Sequence, residues 1–161
     1  MISHTFPSVF DQYSRILILG SFPSVKSRQE GFYYGNPQNR FWRLMQELLN
    51  DHSPLNDISS KRAFLLKYHI ALWDVIKSCD IEGSADASIR NVEVNDIPFL
   101  LNETNISLIV CNGKKAYGLY LRYIGKDDRL IYLPSTSPAN AASNMESLIK
   151  QWSVILSHLS L

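Results

Sequence analysis

The chain of 161 residues has the length and composition of one globular domain, which we expect to span residues 1–161. It is 45% hydrophobic and 19% charged, which is enough apolar sequence for a full core. The formal net charge of +1 excludes a strongly basic protein that binds nucleic acid through a general positive field. Any polyanion must therefore be bound by local clusters of basic residues.

Cysteine usage and hydropathy predict a cytoplasmic protein. Cys79 and Cys111 lie far apart and lack the paired spacing of metal ligands or of a disulfide framework, so we expect no metal cluster and a reducing compartment. The start of the chain is polar, and no apolar run has the length of a signal peptide or of a membrane span. We therefore expect no membrane association.

Hydrophobic periodicity predicts alternating strands and helices. The continuous apolar run Ile16-Leu17-Ile18-Leu19 predicts a buried strand over residues 15–21, followed by a loop to about Asn39. Beyond it, Phe41, Leu44, Met45 and Leu48 recur at helical spacing. The later elements are predicted as a helix over 59–68, a strand over 70–76, a polar loop over 80–90, a short helix over 96–101, a strand over 107–111, a helix after 112–113, a strand over 130–133, a loop over 134–142 and a closing helix over 145–159.

This alternation predicts an α/β fold, a three-layer α/β/α sandwich with a central four-stranded, mostly parallel sheet. Ligands of such sheets bind beyond the carboxyl ends of the strands. We therefore expect four segments to converge on one site: residues 20–39, 74–90, 112–115 and 135–140.

These segments carry ordered motifs that are similar to those of a known family. The motifs are Gly20-Ser21-Phe22-Pro23-Ser24, the aromatic and amide-rich run over 33–42, Leu72-Trp73-Asp74-Val75, the pair Gly83-Ser84 with Ile89-Arg90-Asn91, Asn112-Gly113-Lys114-Lys115-Ala116, and residues 133–140. Together they resemble the uracil-DNA glycosylase superfamily, and within it the hypoxanthine-DNA (deoxyinosine) glycosylase branch.

The resemblance implies a monofunctional DNA glycosylase of base excision repair. Such an enzyme flips a deaminated base out of double-stranded DNA and hydrolyses its N-glycosidic bond, leaving an abasic site. It implies no cofactor, and a monomer. Two other hypotheses remain open from the sequence: excision of uracil or thymine from mismatches, and a DNA-binding or nucleotide-binding module without catalysis.

The resemblance also assigns the catalytic residues. Better-known members of the superfamily orient water with Asp or Asn at the third position of the first motif, where this chain has Phe22. The residues alone favour a helix-capping role for Asn39, whereas the resemblance assigns water positioning to it. Ser135 stands where uracil-specific relatives contact the leaving base through His or Asn, which indicates another base preference.

Base-binding candidates follow from side-chain chemistry. Phe22, Tyr33 and Tyr34 are aromatic and suit stacking on a flipped base, and we expect both tyrosines to be exposed in the pocket. The Asp74 carboxylate suits acceptance from N1–H of hypoxanthine, with a capping role as the alternative. Asn112 is a weaker candidate of the same kind.

Contacts to the DNA backbone require hydrogen-bond donors near these loops. The candidates are Ser21, Ser24, Lys114, Ser137 and Asn140. The histidines show no metal-ligand spacing and none lies in a motif, so the sequence assigns them no role.

Overall fold

The computed structural model describes residues 1–159. Its elements, in chain order, are β1 (Ile2–Ser3), β2 (Ile16–Gly20), α1 (Val25–Glu30), α2 (Phe41–Leu49), α3 (Ile58–Lys67), β3 (Ile70–Asp74), β4 (Ile76–Asp80), a 3-10 turn (Asp86–Ser88), β5 (Arg90–Val94), α4 (Ile97–Asn102), β6 (Leu108–Asn112), α5 (Lys114–Tyr123), β7 (Leu130–Leu133), α6 (Met145–Trp152) and a 3-10 segment (Ser153–His158).

The predicted four-stranded sheet is present and is parallel throughout, in the order β3-β2-β6-β7. Strand β2 is buried along its whole length, as its continuous apolar sequence predicts for a strand covered on both faces. Ile16 and Ile18 pack into the core on one face, with α2, α3 and α6. Leu17 and Leu19 pack into the core on the other face, with α4 and α5. The chain thus forms the expected α/β/α sandwich.

A second, three-stranded antiparallel sheet, in the order β1-β4-β5, was not predicted. The predicted strand over 70–76 ends at Asp74, after which Val75 N–H donates to the Gly20 carbonyl and the chain turns into β4. Strand β5 has the polar sequence Arg-Asn-Val-Glu-Val, and β1 has only two residues, so neither carries a clear hydrophobic signal. This sheet fixes the start of the chain beside the site described below.

Two helical predictions need correction. The loop expected up to Asn39 contains α1, a short polar helix that Ser24 caps and that ends at Gly31 in the left-handed region (φ 78°). The closing helix expected over 145–159 is α-helical only to Trp152 and continues as a 3-10 segment. The other predicted helices and strands lie within a few residues of their observed bounds.

Candidate active site

The four predicted segments meet in a cleft of about 240 Å³ at the carboxyl edge of the parallel sheet. Strand register accounts for the convergence, because Gly20 pairs with Asp74 and Asn112 pairs with Leu133, which precedes the loop carrying Ser135. Most of the predicted site residues line this cleft: Ser21, Phe22, Ser24, Tyr33, Tyr34, Asn39, Asp74, Asn112, Ser135 and Ser137.

Two predicted DNA contacts lie outside the cleft lining. The Lys114 ammonium lies 6.0 Å from the centroid of the Tyr132 ring, on the exposed start of α5. The Asn140 side chain donates within its own loop, to the Ser135 carbonyl at 2.9 Å and to the Ser143 hydroxyl at 3.0 Å. The structure therefore gives Asn140 a role in shaping the loop.

Asp74 lies at the floor of the cleft with its side chain only 5% exposed. Its carboxylate approaches Gly20 so closely that a Cβ at position 20 would lie 2.5 Å from Asp74 Oδ1. Asp74 Oδ2 is bonded to Nε2 of His4 at 2.8 Å, and the His4 side chain is only 3% exposed. A buried carboxylate requires such a donor, and sequence reasoning missed His4 altogether.

The aromatic residues form one wall, but differently from the expectation. Tyr33 is only 2% exposed, and its hydroxyl donates to the Pro7 carbonyl at 2.9 Å, so the prediction that it is exposed is wrong. Phe22 is 8% exposed and reaches the cleft. The Tyr34 ring stacks on Phe41 with centroids 4.2 Å apart.

The Tyr34 hydroxyl is a distinctive donor at the cleft floor. It is buried and no group of residues 1–159 meets it with hydrogen-bond geometry, and Tyr34 has a positive φ of 54°, which is uncommon for a residue with a side chain. Burial, followed by the nearby charge of Asp74, raises the pKa of Tyr34. The hydroxyl therefore keeps its proton and can donate it to a ligand.

Asn39 lies at the mouth of the cleft, immediately before α2. Its Oδ1 accepts from Phe41 N–H at 2.9 Å, so the side chain does bond to the start of the helix, although Arg40 is the N-cap residue. An amide oxygen has two lone pairs, so this bond leaves one for a water molecule. Capping and water positioning are thus compatible.

The loop after β7 is held by side chains on its neighbours. Both ends of the Asn112 amide bond to Thr136, with Nδ2 donating to the hydroxyl and Oδ1 accepting from the backbone N–H, each at 3.0 Å. The Ser135 hydroxyl accepts from Ser137 N–H at 3.1 Å, which leaves its own hydrogen available to the cleft. Asn112 therefore shapes the loop in which Ser135 lies.

Arg40 fixes the same loop from the side of α2. Its guanidinium donates to the carbonyls of Thr136, Ser137, Asn140 and Ser143. A guanidinium carries several donors in a rigid fork, so one side chain can hold several carbonyls at once. The helical spacing that begins at Phe41 gave no sign of this function of Arg40.

The opposite rim of the cleft contains a carboxylate that the sequence analysis did not select. The Ser21 hydroxyl donates to Asp86 at 2.9 Å, and desolvation raises the pKa of Asp86. The Ser24 hydroxyl accepts from Ser27 N–H at 3.2 Å and so caps α1. Ser21 and Ser24 thus hold the first motif in place and also border the cleft.

Within residues 1–159 no group of three or more His, Cys, Asp or Glu side chains is arranged to hold a metal ion. Both cysteines are buried free thiols. The helices of this part of the chain include none with the length and apolar character needed to cross a membrane.

Comparison with known proteins identifies the family. The family model of the uracil DNA glycosylase superfamily matches residues 7–156, which include every segment of the cleft. The chain belongs to the uracil DNA glycosylase superfamily. The motif resemblance found in the sequence is thereby confirmed.

Relatives within this superfamily cover nearly the whole chain. A hypoxanthine DNA glycosylase of Methanosarcina acetivorans is 40% identical over 98% of this chain and 100% of its own length. A hypoxanthine DNA glycosylase of Methanosarcina barkeri is 36% identical over 86% of this chain and 88% of its own. A solution NMR structure of a Methanosarcina acetivorans protein covers all of both chains at 37% identity, with a TM-score of 0.81.

Proposed function

We propose that this chain is a monofunctional DNA glycosylase that removes hypoxanthine from deoxyinosine in DNA. The observation that carries the proposal is the Asp74 carboxylate at the floor of a cleft of single-base size, in a chain whose relatives are named hypoxanthine DNA glycosylases. The cleft volume of about 240 Å³ is sufficient to hold one base.

The Asp74 carboxylate is a hydrogen-bond acceptor, and it therefore suits the edge of hypoxanthine that carries the N1–H donor. The carboxylate only accepts, and N1 of hypoxanthine carries a hydrogen, whereas N1 of adenine carries a lone pair. Adenine in the same pose would set that lone pair against Asp74, and a buried acceptor without a donor is costly. Asp74 thus favours the deaminated base over its normal parent.

The reaction needs a positioned water and a stabilised leaving base. Water oxygen bonds to C1′ of the sugar while the bond from C1′ to N9 breaks and its electron pair leaves with the base. The free lone pair of Asn39 Oδ1 orients this water, and the proton that the water loses ends on the base. The Ser135 and Tyr34 hydroxyls are donors for the charge that develops on the base.

The remaining roles concern the DNA. Phe22 offers a ring face to the flipped base, with Tyr33 supporting the wall behind it. Ser21, Ser24 and Ser137 border the cleft, and Lys114 lies beyond it, where the phosphates that flank a flipped nucleotide require donors. The proposed enzyme acts as a cytoplasmic monomer on double-stranded DNA, without a cofactor.

Single-turnover base release from matched duplexes tests the proposal. The duplexes differ only in one nucleotide, which is deoxyinosine, deoxyuridine, a mismatched thymidine or deoxyadenosine. The proposal predicts fastest release from deoxyinosine and none from deoxyadenosine. Uracil also offers a hydrogen, at N3, so faster release of uracil would favour the mismatch uracil or thymine glycosylase instead.

A pair of variants then tests the catalytic role of Asn39. Asn39→Ala removes the amide oxygen and should slow release about a hundredfold or more, a typical loss for a group that acts on the attacking water. Gln38→Ala, one residue away and exposed, is the matched control. Binding of the deoxyinosine duplex without any release by wild type would identify a binding module instead.

A further inference from the structure

The start of the chain reaches the base-binding cleft through one buried side chain. His4 Nε2 lies 2.8 Å from Asp74 Oδ2, and both side chains are almost completely buried. The His4 ring also contacts Phe6, with centroids 4.4 Å apart, and is nearly perpendicular to the Phe22 ring, with centroids 6.3 Å apart. His4 therefore lies directly behind the proposed base-recognition group.

The small antiparallel sheet determines this position. Strand β1 pairs with β4, with Ile2 opposite Cys79 and Ser3 opposite Ser78. His4 N–H then donates to the Lys77 carbonyl at 2.7 Å, which extends the pairing by one residue. Backbone hydrogen bonds thus hold the His4 backbone in place, and a precise side-chain contact requires such a support.

The hydrogen bond from His4 engages one of the two Asp74 carboxylate oxygens and leaves the other free of this donor. An ionised carboxylate accepts only, so His4 Nε2 carries the shared hydrogen. Oδ2 is occupied by this donor, and Oδ1 lies against Gly20 beside the Tyr34 hydroxyl, among the groups that line the cleft. One oxygen is thus anchored by His4, and Oδ1 is the oxygen left to accept from a base.

We propose that His4 is a positioning residue that holds the Asp74 carboxylate so that Oδ1 meets N1–H of hypoxanthine. This inference rests on the proposed function. Without the His4 donor, the carboxylate can rotate or draw in water, and its free oxygen no longer has a fixed direction. The effect of His4 on catalysis therefore passes through Asp74.

Three variants separate this role from simple packing. His4→Phe keeps a ring and removes the donor, and should slow single-turnover hypoxanthine release about ten- to a hundredfold. His4→Gln restores a donor near the Nε2 position and should recover most of the rate. Affinity for the same duplex without a lesion, measured by fluorescence anisotropy, should be unchanged in both.

The third variant places His4→Phe in an Asp74→Asn background. The buried charge is then absent, so the double variant avoids an unpaired carboxylate and should fold even if His4→Phe alone does not. The loss caused by His4→Phe should be much smaller in this background, because groups that act through one contact are not additive. Equal losses in both backgrounds would overturn the proposal.

Phe6→Leu is the packing control, because it removes a ring that touches His4 and leaves the hydrogen bond in place. It should lower the melting temperature without slowing base release. Release at the wild-type rate by a folded His4→Phe, or no recovery of the rate in a folded His4→Gln, would refute the role of His4 but not the proposed function. A wild-type protein that releases no hypoxanthine refutes the proposed function, and this inference with it.

Discussion

The close approach of Asp74 to Gly20 makes Gly20→Ala a sharp test of the site. The new Cβ would lie 2.5 Å from Asp74 Oδ1, so the oxygen must retreat by about 0.9 Å to reach the 3.4 Å at which ordinary contacts begin. A displacement of about 1 Å in a positioned group can cost a hundredfold in rate. We expect hypoxanthine release to slow by about that factor.

The cost in stability should be comparable, since a hundredfold loss in rate corresponds to about 2.7 kcal/mol, and the two losses can be measured separately. The carboxylate can move by rotation of its own side chain, so the loss is limited to its bond with His4, about 1.5–3 kcal/mol for a hydrogen bond to a charged group. Single-turnover release and thermal unfolding measure the two effects on the same samples.

Gly118→Ala is the matched control. Gly118 lies in α5, and outside its own helix no atom of residues 1–159 lies within 4 Å of an added Cβ, so alanine should raise the free energy of unfolding by about 0.5–1 kcal/mol and leave base release unchanged. Wild-type release by Gly20→Ala would refute the assignment of Asp74 to base recognition.

Three further predictions concern the loop, the thiols and acid stability. The lysine in Arg40→Lys cannot bind four carbonyls at once, so this variant should slow base release about tenfold in the same single-turnover measurement. An unchanged rate would show that the loop keeps its conformation without the guanidinium. Burial raises the pKa of Cys111 to about 12, so mass spectrometry after iodoacetamide treatment at pH 8 should find this thiol alkylated only in unfolded protein. Hydrogen bonds from Ser53 and Tyr68 hold the pKa of Asp51 well below its ordinary 3.8, so its stabilisation is present above that pH and is lost below it. Melting temperatures between pH 5 and 2 should therefore fall less steeply in Asp51→Asn than in wild type, and parallel curves would contradict this.

The main sheet and the place of the site were predictable because their signals are local. The run from Ile16 to Leu19 identifies a buried parallel strand, and the parallel order carries Asp74 and Ser135 to the same edge. Tyr33 was placed wrongly because its neighbours Gly35 and Pro37 suggest an open loop. In the structure the Ser27 hydroxyl of α1 accepts from Gly35 N–H at 2.9 Å, and Tyr33 is buried against Phe6.

His4 could not be found from the sequence for a different reason. It lies 70 residues from Asp74, and the strand that brings it there contains only two residues. Such a strand has no periodicity of its own and forms because β4 offers an edge for pairing. The neighbouring β4 and β5 were themselves missed, so no step of sequence reasoning led to the contact.

The most direct test of the proposed function is the identity of the products. A duplex with one deoxyinosine is incubated with an excess of the wild-type protein, and both the released base and the DNA strand are analysed by mass spectrometry. We predict free hypoxanthine and a strand that contains one abasic site and remains intact until alkali cleaves it. A strand with deoxyinosine still in place, under conditions in which the protein binds the duplex, would contradict the proposed function.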